Sequence, residues 1–243
     1  LGDSRGHACQ PRRRDHRTDC VTISGENWRF VEGEPEPDYA DYCAAACVDF
    51  DADLAIADRN DLRTVPLLRK MRFIKSLRIN VDTLSDVSGL ELVEAGMIEL
   101  WALSSTTNFT SFRGLTETST ADLRVKDALG VTSLDSLPPR GLPSLSLSRT
   151  NLVDVDVTPF TELSSLRLEL NDGLQSVRLG SGRMDVVSLS SNWNVSRLEW
   201  GSGLVVEGAT FFENSKLSSC LIQDFIADVK ADGGYVMHNG PCP

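Results

Sequence analysis

Apolar residues along this chain recur in pairs that flank a single intervening residue, and the pairs recur about every twenty-two positions. Leu163-Ser-Ser-Leu166-Arg-Leu168-Glu-Leu-Asn171 returns twenty-one positions later as Met184-Asp-Val-Val187-Ser-Leu189-Ser-Ser-Asn192. The tail of each copy matches too, Leu174, Val177 and Leu179 returning as Val195, Leu198 and Trp200. Taking the first member of each pair as anchor gives Leu54, Leu77, Leu100, Leu123, Leu145, Leu166, Val187 and Val206, at intervals of 23, 23, 23, 22, 21, 21 and 19. The second members are Ile56, Ile79, Ala102, Val125, Leu147, Leu168, Leu189 and Gly208. Side chains alternate along a strand, so each pair predicts a short strand with two buried residues and one outward residue between them. Coils of this length stack on their neighbours and bury a continuous core, which predicts a solenoid with a parallel sheet. The Asn that follows each pair is expected to turn inward at the corner and pair with backbone groups of the adjoining coil.

A second apolar cluster lies about ten residues beyond each anchor: Leu84, Val87 and Leu90; Phe109, Phe112 and Leu115; Leu134 and Leu137; Leu152, Val155 and Val157. These stretches are short and rich in Ser, Thr and Gly, so they predict short strands or irregular turns instead of outer helices. At the N-terminal side, Tyr39, Ala40, Cys43, Ala44 and Cys47 share one face of a helix that Asp38 would cap. Near the C-terminus, Leu221, Phe225, Ile226 and Val229 follow helical spacing, Gly233-Gly234 stops the helix, and Tyr235-Val-Met237 is extended. The organisation read from this is a basic flexible tail over 1–19 and one solenoid over 20–243. Within the latter, 20–53 forms an N-terminal cap with a short helix, 54–213 about eight coils, and 214–243 a helical cap.

Six cysteines bracket the repeats: Cys9, Cys20, Cys43 and Cys47 at one end, Cys220 and Cys242 at the other. An even count outside the coils reads as disulfide caps and an oxidising, extracytoplasmic setting. Cys220 with Cys242 would close the C-terminal helix over the apolar stack. Cys43 and Cys47 at i and i+4 would hold their Cβ atoms about 6 Å apart, beyond the ~3.5–4.5 Å of a disulfide. They should therefore reach out to Cys9 and Cys20; Cys20–Cys47 with Cys9–Cys43 is the favoured arrangement, with all three pairings open. The first four lack paired C-x-x-C knuckles, which argues against zinc.

The formal charge is −11. Residues 1–20 carry five Arg and three Asp, a balance of +2, so the remainder carries −13. An acidic body argues against nucleic acid as partner, since phosphate binding needs a basic footprint. There is no apolar run near eighteen residues, so no membrane-spanning helix is expected. Asp49-Phe-Asp51-Ala-Asp53 has the alternating acids of a calcium loop, but Leu54 and Asn60 stand where Gly and a bidentate Glu are needed; an acidic turn is expected. No metal or cofactor is expected. His7, His16 and His238 lie in tails or caps, and the Gly-Ser-Gly triplets at 180–182 and 201–203 lack the strand–Ser–helix setting of a nucleophile elbow. Asn108-Phe-Thr110 and Asn194-Val-Ser196 are glycosylation sequons, and Trp193 sits at a corner beside the second.

The outward column read from the anchors is Ala55, Arg78, Trp101, Arg124, Ser146, Arg167, Ser188 and Glu207, with Asn80, Lys126, Glu99 and Glu169 flanking it. Neighbouring strands lie ~4.8 Å apart, so Arg78 and Arg124 are expected to sandwich Trp101. Trp and Arg dominate binding hot spots, and Arg78, Trp101, Arg124, Lys126 and Arg167 are the candidate ligand-binding residues for an acidic protein patch or an anionic glycan. The competing reading pairs these cations with Glu99, Asp122 and Glu169 and leaves them a solubilising role only.

The anchor series, the connections closing on Gly-Leu (Val87-Ser-Gly-Leu90, Ser111-Phe-Arg-Gly-Leu115) and the closure Asn214-x-Lys-Leu…Cys220…Cys242 resemble the receptor L domain, a relative of leucine-rich repeats. The resemblance spans about residues 48–243. It implies an α/β repeat: a leucine-rich-repeat-like, right-handed solenoid with a parallel sheet, disulfide-capped at both ends. It also implies a secreted or cell-surface module that binds protein or glycan and carries no catalytic residues. Two other readings are an architectural cell-envelope protein without a discrete ligand and a polysaccharide-active parallel β-helix enzyme. The latter would need clustered carboxylates that the outward column does not offer.

Overall fold

A computed structural model describes residues 20–242 except 26, 32–36, 40–41, 43, 58–61, 63–64, 66, 82–86, 88–89, 91, 93, 103–108, 110–111, 113, 116–120 and 232–233. The expected tail at 1–19, the Cys9–Cys43 pairing and Asn108 lie outside the described residues. The chain is a parallel-sheet β-solenoid of about eight turns. Its strands are β1 (Val21–Ser24), β2 (Trp28–Val31), β3 (Val48–Ala57), β4 (Met71–Asn80), β5 (Glu94–Trp101), β6 (Asp122–Lys126) and β7 (Ser144–Ser148). They continue as β8 (Asp154–Asp156), β9 (Ser165–Glu169), β10 (Ser176–Leu179), β11 (Arg183–Ser190), β12 (Arg197–Trp200), β13 (Val205–Phe212) and β14 (Gly234–Met237). One α-helix, α1 (Ser219–Val229), is the main helical element among the described residues, so the α/β expectation gives way to a β-solenoid with little helix.

The main sheet runs β1-β3-β4-β5-β6-β7-β9-β11-β13-β14, with β2 also paired to β3. Its register stacks Leu54, Leu77, Ile98, Leu123, Leu145, Leu166, Val187 and Ala209 in one column. Every member is at most 2% exposed. The second inward column is Ile56, Ile79, Leu100, Val125, Leu147, Leu168, Leu189 and Phe211, and is likewise buried. Burying a side chain of this size is worth about 1.5–3 kcal/mol, so the two columns form the main apolar wall of the molecule.

Two anchors in the even series were misplaced. In the fifth strand the inward pair is Ile98 and Leu100, not Leu100 and Ala102, and in β13 it is Ala209 and Phe211, not Val206 and Gly208. Val206 pairs instead with Met184, three residues before Ala209 on the strand. Ala102 is the first residue past β5 and has φ 54°.

The opposite wall is built in two ways. In the later coils, β8, β10 and β12 form a three-stranded parallel sheet that aligns Val155, Val177 and Leu198. Elsewhere, apolar residues three apart close i→i+3 backbone bonds: Phe112 N–H to Phe109 O (2.9 Å), Leu115 to Phe112 (3.0 Å), Leu137 to Leu134 (2.9 Å). Side chains three apart eclipse one another in such turns, so each turn puts all its apolar residues on the core side. Short strands and turns are what the Ser/Thr/Gly-rich connections predicted.

The corners explain the Asn of the repeat. Asn171, Asn192, Asn214 and Asn239 each donate through Nδ2 to the carbonyl of Leu147, Leu168, Leu189 and Phe211 in the preceding coil, at 2.8–3.0 Å. Their Oδ1 atoms accept the N–H of Thr150, Asn171, Asn192 and Asn214, at 2.9–3.1 Å. The residue just before each Asn (Leu170, Ser191, Glu213, His238) adopts a left-handed backbone with φ 54–55°. That conformation costs an L-residue about 1–2 kcal/mol. The bond that Leu170, Ser191 and Glu213 each donate to the next coil (2.7–3.0 Å) offsets it.

Both predicted end bridges among the described cysteines form, Cys20–Cys47 and Cys220–Cys242. The expected helix over 38–47 does not: its described residues form single turns, Tyr42 N–H to Tyr39 O and Ala45 N–H to Tyr42 O. Asp49, Asp51 and Asp53 belong to β3 and not to a turn, and β1 already pairs with Val48–Asp51, so the sheet begins inside the expected cap. At the other end, Ser218 caps α1 by accepting from Cys220 N–H, and Lys230 in the left-handed region ends it before Gly233-Gly234 is reached. Phe225 of α1 lies edge-on to Trp200 and Phe211, at 5.2 and 5.5 Å, closing the core. Tyr235-Val-Met237 is β14, the last rung of the main sheet.

Candidate functional site

The outward face of β4, β5 and β6 gathers the charged and aromatic residues. Strand register makes Ala55, Arg78, Glu99, Arg124, Ser146, Arg167, Ser188 and Thr210 the central outward column. Asn80, Trp101, Lys126, Ser148, Glu169, Ser190 and Phe212 form the column beside it. Trp101 therefore does not stand between Arg78 and Arg124; Glu99 does. At the far end Thr210 takes the place expected for Glu207, which pairs with Arg183.

The rearranged site is a cluster around Glu99. Its carboxylate accepts Arg78 Nε at 2.9 Å on Oε2 and Lys126 Nζ at 3.2 Å on Oε1. Glu99 is only 4% exposed, while Arg78, Lys126 and Trp101 stand open to solvent. Burial pushes the Glu99 carboxyl up, but hydrogen bonds from Lys126, Trp101 and Arg78 outweigh it and hold the group below its ordinary value. The same two cations flank the indole: the Arg78 guanidinium carbon lies 5.8 Å and Lys126 Nζ 5.1 Å from the Trp101 ring centre. Glu99 thus sets the geometry, since it ties both cations to the place where they also meet the ring.

Arg124 is turned away from this cluster. Its Nε and Nη2 bond Asp122 Oδ2 at 2.9 and 2.5 Å, and Ser144 Oγ bonds the other carboxylate oxygen at 2.9 Å. The hydrogen bonds with Asp122 hold its guanidinium more firmly protonated. Arg167 is exposed, flanked by Ser146 and Ser188, and holds no ion pair among the described residues. Two of the three pairings that would make the cations merely solubilising are therefore present, with Glu99 and Asp122, and the one with Glu169 is not. From β7 on the face is mostly small and polar: Ser144, Ser146, Ser148, Ser188, Ser190 and Thr210.

A second charged ladder lies on the outer face of the β8-β10-β12 sheet. Arg178 bonds Glu199 at 2.8 Å and approaches Asp156 at 3.6 Å; Asp156 also accepts Thr158 N–H and Oγ1. Burial works against the charged form of Asp156, but the bonds from Thr158 and the charge of Arg178 hold its carboxyl below the ordinary range. The signal was available, because Asp156, Arg178 and Glu199 are the middle residues of Val155-x-Val157, Val177-x-Leu179 and Leu198-x-Trp200, the same pattern as on the main sheet. No group of three or more His, Cys, Asp and Glu among the described residues is placed to hold a metal ion, and Asp51 of the acidic stretch pairs with Lys75 at 3.3 Å.

Comparisons with family models, with curated proteins and with solved structures return no match.

Proposed function

We propose that this chain is a non-catalytic extracellular recognition module of the receptor L domain or leucine-rich-repeat-like kind, secreted or held at a cell surface. Its ligand is an acidic protein patch or an anionic glycan, docked on the outward face of the main sheet. The observation that carries this reading is the exposed Trp101 flanked by Arg78 and Lys126 and fixed from below by the buried Glu99. A merely solubilising surface has no need to spend a buried carboxylate on orienting two cations beside an exposed indole. Desolvating a charge is costly, whereas a preorganised platform lowers the ordering cost of binding. Arg167 supplies a further exposed cation on the same column. The setting is supported by the two disulfides near the ends, and no described helix is long and apolar enough to cross a membrane. The serine-rich half of the face is what an architectural envelope component would present, so the cationic and aromatic half separates the two readings.

The intact protein would be applied to an array of sulfated and carboxylated glycans and used to capture acidic surface proteins. The reading expects a salt-sensitive ligand whose binding falls about tenfold or more in Trp101→Ala and Lys126→Ala, since aromatic and cationic anchors dominate such interfaces. Binding unaffected by both substitutions would move the ligand off this face.

A further inference from the structure

We propose a second binding site on the corner ridge: a hollow beside Trp193 that takes one ring of a neutral oligosaccharide. It stands on residues remote from Trp101 and does not depend on the function proposed above.

The hollow arises from a one-residue difference between coils. After the left-handed corner residues Asp127, Arg149, Leu170, Ser191 and Glu213 comes a buried position, then an exposed tip, then the next buried residue. The tip has two residues in Leu129-Gly130, Asp172-Gly173, Trp193-Asn194 and Ser215-Lys216. Between Thr150 and Leu152 it has only Asn151. The short tip is drawn against its neighbour by Asn151 N–H to Val131 O (3.2 Å) and Nδ2 to Leu129 O (2.7 Å). A dent of about 270 Å³ is left where the ridge would otherwise continue. Leu129 and Trp193 bound it, with Gly173 also on its lining. Leu129 is 54% and Trp193 48% exposed, more than the Trp101 of the main face.

The polar groups are mixed in kind. The Asp172 carboxylate has no partner among the described residues. Asn151 has committed its Nδ2 and keeps its Oδ1 for a hydroxyl. Arg149 holds Asp127 through Nη1 alone, at 3.0 Å, and retains further donors. An aromatic plane with both acceptors and donors at its rim suits a sugar ring, whose hydroxyls do both and whose C–H face is apolar. Drug-sized ligands fill about 300–1,000 Å³, so a smaller hollow fits one ring of a longer chain. The surrounding protein is acidic, and Arg149 and Asp172 offset one another, which favours an uncharged saccharide over a polyanion.

The test uses the full chain exported to a bacterial periplasm, where disulfides form and Asn194 stays unglycosylated. Saturation-transfer NMR and calorimetry would be run with cellotetraose, mannotetraose and N-acetylchitotetraose, and with tetralysine as the peptide alternative. At least one saccharide is expected to bind. Its affinity should fall about tenfold or more in Trp193→Ala and in Asp172→Ala, remain within severalfold in Trp193→Phe, and be unchanged in Trp101→Ala. Thermal melts of each variant would separate lost binding from lost folding; the replaced side chains are exposed, so the melts should match. The inference is overturned if none of the three saccharides binds up to about 10 mM, if binding survives Trp193→Ala, or if tetralysine alone occupies the hollow.

Discussion

The corner asparagines carry the sharpest stability prediction, because each side chain ties its own coil to the preceding one by two bonds. Asn192 is fully buried. Its Oδ1 accepts Asn171 N–H at 3.0 Å and its Nδ2 donates to Leu168 O at 2.8 Å. Truncation to Ala strands the Asn171 N–H in the interior, a loss of about 1–3 kcal/mol, and removes the amide-to-carbonyl bond, worth about 0.5–1.5 kcal/mol. The expected destabilisation is therefore about 2–4 kcal/mol. At about 2–4 °C per kcal/mol for a chain of this size, Tm should fall roughly 5–15 °C. Asn194, two residues on, makes a comparable bond from Nδ2 to Asp172 O at 2.6 Å, but in the open. Water can replace that bond, so Asn194→Ala should change stability by about 0.5 kcal/mol or less. Urea unfolding followed by far-ultraviolet circular dichroism would measure both, with equal m-values required for the comparison. An Asn192→Ala loss below about 1 kcal/mol, or one no larger than that of Asn194→Ala, would refute the claim that the corner amides hold the coils together.

Three further outcomes follow from the geometry. Glu99 is held ionised by its partners, so its folded-state value lies below the unfolded one; the stability it contributes is present above the unfolded value and is lost as pH falls through the folded one. Glu99→Gln should therefore flatten the wild-type decline in stability below about pH 5, and urea midpoints measured across that range would show whether it does. Gly96→Ala would bring a Cβ to 2.6 Å from Lys75 O, a backbone atom that cannot yield, whereas at Gly208 the nearest atom, Asp185 O, stands at 3.6 Å. The first should cost about 1–3 kcal/mol and the second close to nothing, and equal melting temperatures would contradict this. Selective reduction of Cys220–Cys242, which spans 22 residues, should cost about 3 kcal/mol by loop entropy. Phe225→Ala beneath the same cap should cost about 3–5 kcal/mol, and calorimetry of the two preparations would rank them.

How the site was read from sequence turns on Trp101. Ile98-Glu99-Leu100 and Leu100-Trp101-Ala102 both satisfy an apolar-x-apolar rule. A slip of two residues keeps every side chain on its own face, so alternation cannot separate the two registers. Even spacing favoured the wrong one, 23 and 23 in place of the observed 21 from Leu77 to Ile98 and 25 from Ile98 to Leu123. The extra length is taken up in the connection that carries Phe109, Phe112 and Leu115. The slip exchanged Glu99 for Trp101 in the central column, and with them an expected Arg–Trp–Arg sandwich for a buried carboxylate holding Arg78 and Lys126. All five candidate residues nevertheless lie on the same face, because parity was preserved.

By itself the amino-acid order determined the coil length, six of the eight inward pairs and the corner asparagines, since each is a local pattern repeated until chance is excluded; among Cys9, Cys20, Cys43 and Cys47 it left all three pairings open. The turn expected at 49–53 gave way to a strand for a complementary reason: pairing with β1 and β4 outweighs a weak local propensity. Which outward residues meet was decided only when neighbouring strands fixed their register, through backbone bonds between residues twenty or more positions apart. The hollow beside Trp193 belongs to the same class. A tip one residue short is visible in the sequence, but the space it leaves exists only between stacked coils.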